Sequence, residues 1–233
     1  MKILAFGAHP DDLEMQCSGT LALYSKQGHE VFMCHVCSGD KGSLVYNSDE
    51  LVKIRRKEAI EAAELIGAES IWGGMKDGEV VLDLPSRSKI VDIFRRVNPD
   101  LVITHHPNDY QVDHVNVSRL VFDAVLLANL KLWESIYPPA DKTPVLYYMD
   151  TLAGVNFDPA EYVDISNTIE TKVKMMLKHE SQLGWMEKMY GIHTEEFIKT
   201  IARFRGLQSG VPYAETFVQK KIFSTGLTSR ILP

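Results

Sequence analysis

Gly7-Ala8-His9-Pro10-Asp11-Asp12-Leu13-Glu14 directly follows the apolar run Met1-Lys2-Ile3-Leu4-Ala5-Phe6. That run predicts a buried strand starting almost at residue 1. Leu13 to Gln27 reads as one helix, though its apolar spacing is uneven. A strand-turn-helix junction is where open α/β sheets place ligands, at the carboxyl ends of their strands. In nucleotide-binding sheets this turn is glycine-rich, so that phosphate can approach the backbone. Here it carries an imidazole and two carboxylates within four residues, which is the composition of a metal site. Lacking G-x-G-x-x-G, and with Asp11 and Asp12 placed to repel a pyrophosphate, it argues against a dinucleotide.

The rest of the chain alternates strand and helix around this opening. Glu30–Cys37 predicts a second strand, Ser70–Trp72 a short third, Pro99–Thr104 the clearest, and Val145–Met149 a fifth. Between them, helices are expected from Ser48, as N-cap, to about Ile66, with Gly67 as the stop, then over Leu84–Val97 and from about Asp113 to Leu130. Later helices are expected from Ser166 through His179, near 182–190 and over 194–205, followed by Pro212–Phe217 and a strand-like tail. The alternation predicts a doubly wound, mostly parallel α/β sheet of about five strands with helices on both faces. One domain over 1–233 is expected, with the sheet in about 1–150 and a helical part, about 160–206, packed on it.

Composition narrows the function. The 233 residues are 45% hydrophobic and 24% charged, as in ordinary globular proteins. A net charge of −6 argues against nucleic acid or anionic membrane as partner. No apolar run approaches the roughly 18 residues of a membrane span, and the N-terminus lacks a signal-peptide layout, so a cytoplasmic location is expected. Cys34 and Cys37 have CxxC spacing inside a predicted strand, where they would face opposite sides. They and Cys17 are expected to be buried thiols in a reduced compartment. His29, His35 and His193 are read as surface or core residues.

A hydrolytic zinc site needs three His/Asp/Glu ligands and an open position for water. His9 and Asp12, three apart on a tight turn, have the spacing to reach one ion. The third ligand should come from another strand end in the same crevice. His114 meets that requirement, because it lies in the loop-to-helix junction after the strand ending at Thr104. Asp11 is then free to take a proton from water attacking a carbonyl, and Asp113 to orient a metal-bound imidazole. Zinc, one per chain, is the default for this donor set; Fe2+ and Co2+ accept the same ligands.

Taken together, Ala8–Glu14 and His106-Pro107-Asn108-Asp109 through Asp113-His114 resemble the LmbE-like (PIG-L) deacetylase family. Ser38–Gly42, Arg55–Ala59, His179–Gln182 and Pro212–Phe217 extend the resemblance over nearly the whole chain. It implies a Rossmann-like fold without a dinucleotide and removal of an N-acetyl group from an N-acetylglucosamine-type sugar or its conjugate. It also implies His9, Asp12 and His114 as zinc ligands and Asp11 as general base, with Arg55 or Arg56 holding substrate. Asp40, Asn108 and His106, within or beside the resembling motifs, are expected on the substrate side. One departure stands out: many members place a histidine three residues before the last ligand, where this chain has Gln111. Its amide can donate a hydrogen bond to an oxyanion but cannot deliver a proton. Three readings follow: Asp11 protonates the leaving amine, His106 substitutes, or the chain binds sugars with little or no turnover. The helices after residue 160 offer a surface for homo-oligomers, although nothing in their composition demands one.

Overall fold

A computed structural model describes residues 1–191, 193–223 and 232–233. Its sheet has seven strands, β1 (Lys2–Gly7), β2 (Glu30–Cys37), β3 (Glu69–Met75), β4 (Leu101–Thr104), β5 (Val145–Met149), β6 (Glu161–Asp164) and β7 (Ala214–Lys220), in the spatial order β3-β2-β1-β4-β5-β7-β6. The five from β3 to β5 in that order run parallel, and β7 is antiparallel to both of its neighbours. The expected parallel sheet of about five strands is therefore extended to a mixed sheet of seven. β6 went unread because four residues carry little local signal, and β7 was met only in part, its last residues falling in the expected strand-like tail after Phe217. The part of the expected tail that falls in 224–231 lies outside the described residues.

Side chains of the central strands alternate between two cores, as pleating requires. On one face Ile3, Ala5, Leu101, Ile103 and Tyr147 pack against α1 (Asp12–Gln16), α2 (Ser18–Lys26), α3 (Ser48–Glu64) and α6 (Ile169–Met176). On the other, Leu4, Phe6, Val102, Leu146 and Tyr148 pack against α4 (Leu84–Val97) and α5 (Val112–Leu127). Two further helices, α7 (Glu180–Tyr190) and α8 (Thr194–Ser209), complete the chain. No described helix is long and apolar enough to cross a membrane.

Three helix starts differ from expectation for a physical reason each. The Leu13–Gln27 helix breaks at Cys17 (φ −140°, ψ 5°). There the freed amides of Gly19 and Thr20 donate to the carboxylate of Glu215 on β7, at 2.9 and 2.7 Å. Asn47, not Ser48, caps α3. Its Oδ1 accepts from the Glu50 amide and Glu50 Oε2 accepts in return, forming a capping box. Ser166 hydrogen-bonds Asp164 instead of capping a helix, so α6 begins at Ile169 and ends before His179, which stands just ahead of α7 without a side-chain cap bond.

The three cysteines are free and buried. The β2–β3 register shifts between His35 and Cys37. A side chain on Gly73 at that irregularity would sit 2.4 Å from the Val36 carbonyl oxygen, so only glycine fits there.

Candidate metal centre

In the order β3-β2-β1-β4-β5, successive connections leave β1 in opposite directions, so a crevice opens between the carboxyl ends of β1 and β4. The β1 turn and the start of α1 supply His9, Asp11 and Asp12; the β4–α5 loop supplies His105 and Asp109, and the first turn of α5 supplies Asp113 and His114. Two backbone bonds fix the turn: the Ala8 amide donates to His105 Nε2 (2.8 Å), and the Cys37 amide donates to the Ala8 carbonyl (2.7 Å). Asp11 carries a positive φ of 143°, costly for a residue with a side chain, and it turns the chain sharply into α1.

His9, Asp12 and His114 converge, with one ligand atom from each lying within 4.8 Å of the others. Asp12 Oδ2 accepts the His9 amide at 2.6 Å, which locks the carboxylate over the turn. His114 Nε2 lies 3.3 Å from Asp12 Oδ1, and His9 Nδ1 lies 3.5 Å from Oδ2. The outer nitrogen of each ring is held by another carboxylate. Asp113 Oδ2 is 3.1 Å from His9 Nε2, and Asp109 Oδ2 is 3.0 Å from His114 Nδ1. Each imidazole thus presents its remaining nitrogen inward, the arrangement carboxylates impose on metal-ligating histidines. His114 Nε2 is buried and has no hydrogen-bond partner. A divalent cation would satisfy that orphaned nitrogen, so these three residues fit a metal.

The electrostatics agree. Burial disfavours charge on His114, but Asp12 and Asp109 outweigh it and push its pKa up to about 9. Burial likewise opposes charge on His9, yet Asp113 and Asp12 hold its pKa well above the ordinary value. Asp12, although buried, is held well below the usual carboxylate range by His114. Protons held this way are the ones a cation replaces on binding.

His105, which carried no role in the sequence reading, stacks on His114 with ring centroids 3.8 Å apart. Its Nε2 accepts the Ala8 amide, so the ring is neutral with its proton on Nδ1. Burial and the neighbouring His114 lower its pKa to about 4, in accord with a neutral ring.

Asp11 points into the same cleft and pairs with Arg55 at 3.0 Å. Burial raises its pKa; Arg55 opposes the rise and Asp12 adds to it. Arg55 is buried, donates to the Pro10 carbonyl, and packs so closely over Gly39 (φ +67°) that a Cβ there would lie 2.6 Å from it. Between the two arginines, the structure places Arg55 in the cleft and Arg56 on the exposed side of α3.

Four other expected residues have different surroundings. Gln111 lines the cleft. Asp40 is a brace beneath it, accepting the Asp77 amide at 2.8 Å, while Asp77 itself reaches the cleft wall and accepts the Gly39 amide. His106 sits edge-on against Tyr148 and Phe157, and Asn108 is exposed; neither lines the cleft. His35 is buried against Glu14 at 3.5 Å, with His179 on the other carboxylate oxygen at 3.4 Å. Gln182 and Trp185 on α7 and Leu152 after β5 close the cleft, whose free space is about 750 Å³. The helix expected near 182–190 and the His179–Gln182 motif hinted at α7; no local signal pointed to Leu152 or Asp77.

A family model described as PIG-L, GlcNAc-PI de-N-acetylase, matches residues 4–125, just over half of the chain. The chain is 27% identical over 226 residues to diacetylchitobiose deacetylase of Thermococcus kodakarensis, covering 92% of this chain and 81% of that protein. It is 24% identical over 242 residues to 4-oxalmesaconate hydratase of Pseudomonas putida, covering 97% and 88%. Among solved structures, N,N'-diacetylchitobiose deacetylase from Pyrococcus horikoshii superposes with a TM-score of 0.82 at 28% identity, covering 94% of this chain and 83% of that one.

Proposed function

The chain belongs to the PIG-L (GlcNAc-PI de-N-acetylase) family, and we propose that it is a metal-dependent N-deacetylase acting on an N-acetylglucosamine-type sugar or its conjugate. The observation that carries this reading is the pair of histidines, each held by a carboxylate on its outer nitrogen and turned inward on Asp12. His9, Asp12 and His114 would hold one divalent ion, zinc by the chemistry of the donors. When bound, such an ion supplies Lewis acidity toward a carbonyl oxygen and a water.

The remaining work falls to the protein. Asp11, whose carboxylate pairs with the Arg55 guanidinium and whose pKa burial raises, accepts a proton from the water that adds to the amide carbon. The Gln111 amide donates a hydrogen bond to the oxygen on which negative charge develops. When the C–N bond breaks, Asp11 returns that proton to the departing nitrogen, giving acetate and a free amine. Asp11 thus serves as base and then acid, a cycle that needs no proton from Gln111. Asp113 and Asp109 keep the two imidazoles in the ligating tautomer throughout.

The similarity to a hydratase raises a second reading, water addition to an unsaturated polycarboxylic acid. Charge in the cleft speaks against it. Among the described lining residues Asp11, Asp12 and Asp77 are acidic, while Arg55 is the one permanent cation and is already paired with Asp11. Beyond the metal itself, a polyanion would find no side-chain cation free to pair with its further carboxylates, whereas an uncharged N-acetyl sugar needs none. Acetate release from a panel of N-acetylated sugars by the zinc-loaded protein tests the proposal. Release that is absent from every sugar, with tight sugar binding retained, would favour a binding protein instead.

A further inference from the structure

The centre described above draws on the ends of β1 and β4. On the other side of β1, the order β3-β2-β1 brings three strand ends together. His9 lies two residues beyond β1, Cys37 is the last residue of β2, and Asp77 lies two residues beyond β3. One donor atom from each, an imidazole nitrogen, a thiol sulfur and a carboxylate oxygen, lies within 4.8 Å of the others.

Backbone bonds hold these ends in place. The Cys37 amide donates to the Ala8 carbonyl and the Ser38 amide to the Met75 carbonyl, both at 2.7 Å. Asp77 is fixed at both ends, its Oδ1 accepting the Gly39 amide and its own amide donating to Asp40 Oδ1, each at 2.8 Å. Cys37 and Asp77 are buried, and His9 and Asp77 line the cleft, which gives an ion its way in. Beside them Asp113 Oδ2 serves His9 Nε2 and the Gly78 amide, while Oδ1 is buried without a hydrogen-bond partner. An orphaned carboxylate oxygen in such surroundings calls for a cation nearby.

We infer that His9, Cys37 and Asp77 form a second metal site, which takes a thiophilic divalent cation through His9 Nε2, the Cys37 sulfur and an Asp77 oxygen. The donors select the ion: sulfur with imidazole favours Zn2+ or Cd2+ over Mg2+ and Ca2+. The thiolate is the ligand, so the Cys37 proton leaves to buffer on binding. The two sites share a ring but not a nitrogen, since Nδ1 faces Asp12 and Nε2 faces Asp113. Filling both at once requires His9 as imidazolate, so the second ion binds more weakly than the first. None of this depends on the chain being a deacetylase.

Titration with Co2+ tests the site, because a sulfur ligand gives a near-ultraviolet thiolate-to-cobalt absorption that nitrogen and oxygen ligands do not. Wild type is expected to develop that band after the first equivalent has bound. His114→Ala, which dismantles the first centre and leaves His9 free, should develop it from the start of the titration. Cys37→Ser, nearly the same size, should lose the band and keep the visible cobalt absorption of the first centre. That visible absorption reads the first centre separately, so either site can fail alone. Absence of the band from both wild type and His114→Ala at saturating Co2+ overturns the inference. So does a band that survives in Cys37→Ser, which would then come from Cys17 or Cys34.

Discussion

Asp109 holds His114: Oδ2 of the carboxylate lies 3.0 Å from Nδ1 of the imidazole, and both side chains are buried. The bond spans only five residues, yet it decides which nitrogen of His114 faces the centre of the site. Removing its charge with Asp109→Asn should weaken zinc binding by about tenfold or more while leaving the ligand set in place. Competition against a chromophoric chelator measures this; unchanged affinity would mean that His114 needs no orienting partner.

Metal affinity should fall as pH falls. His114 titrates at about 9 without metal, and His9 is also raised well above its ordinary value. Below those values both ligands carry protons that a cation must displace, so zinc uptake at pH 7 should release protons to buffer. Calorimetry in buffers of different ionisation enthalpy reads the number released. A value of zero at pH 7 would contradict the protonation of the two rings.

Asp11→Asn should lower acetate release by about a hundredfold to ten-thousandfold, the range for loss of a positioned proton-transfer group. Zinc content should not change, because Asp11 is not among the three converging ligands. The amide that replaces the carboxylate keeps an acceptor oxygen for Arg55, so thermal unfolding should shift little. Activity that survives undiminished would remove Asp11 from the mechanism.

Lys172 and Glu215 form an ion pair at 2.6 Å, each with 3% side-chain exposure, and Glu215 also accepts the Gly19 and Thr20 amides. Lys172→Met strands a buried carboxylate and should cost about 3–5 kcal/mol in urea unfolding. Adding Glu215→Gln to that variant should cost less than the sum of the two single changes, since the charge left behind is then gone.

Much of this was legible in the sequence wherever the cause is local. The strand before Gly7, the helix stop at Gly67, and the His9–Asp12 spacing all depend on residues within a few positions of one another. His114 was legible as well, because it follows a strong strand and α/β sheets gather their strand ends at one edge. Gln111 was singled out from the sequence and does reach the cleft wall.

What the sequence by itself determined was therefore the alternating α/β plan and the residue types placed at the ends of β1 and β4. Periodicity and turn chemistry act over short separations and leave a trace in order alone. Tertiary structure decided the rest. It split the first helix, because a carboxylate some two hundred residues away serves the amides that the break exposes. It added β6 and β7, whose pairing comes from neighbours distant in the chain. It chose Arg55 over Arg56 by the angle at which α3 packs, and turned Asp40 into a brace while bringing Asp77 to the cleft. Contacts between remote segments are set by how elements pack, and packing leaves no signature in any short stretch of sequence.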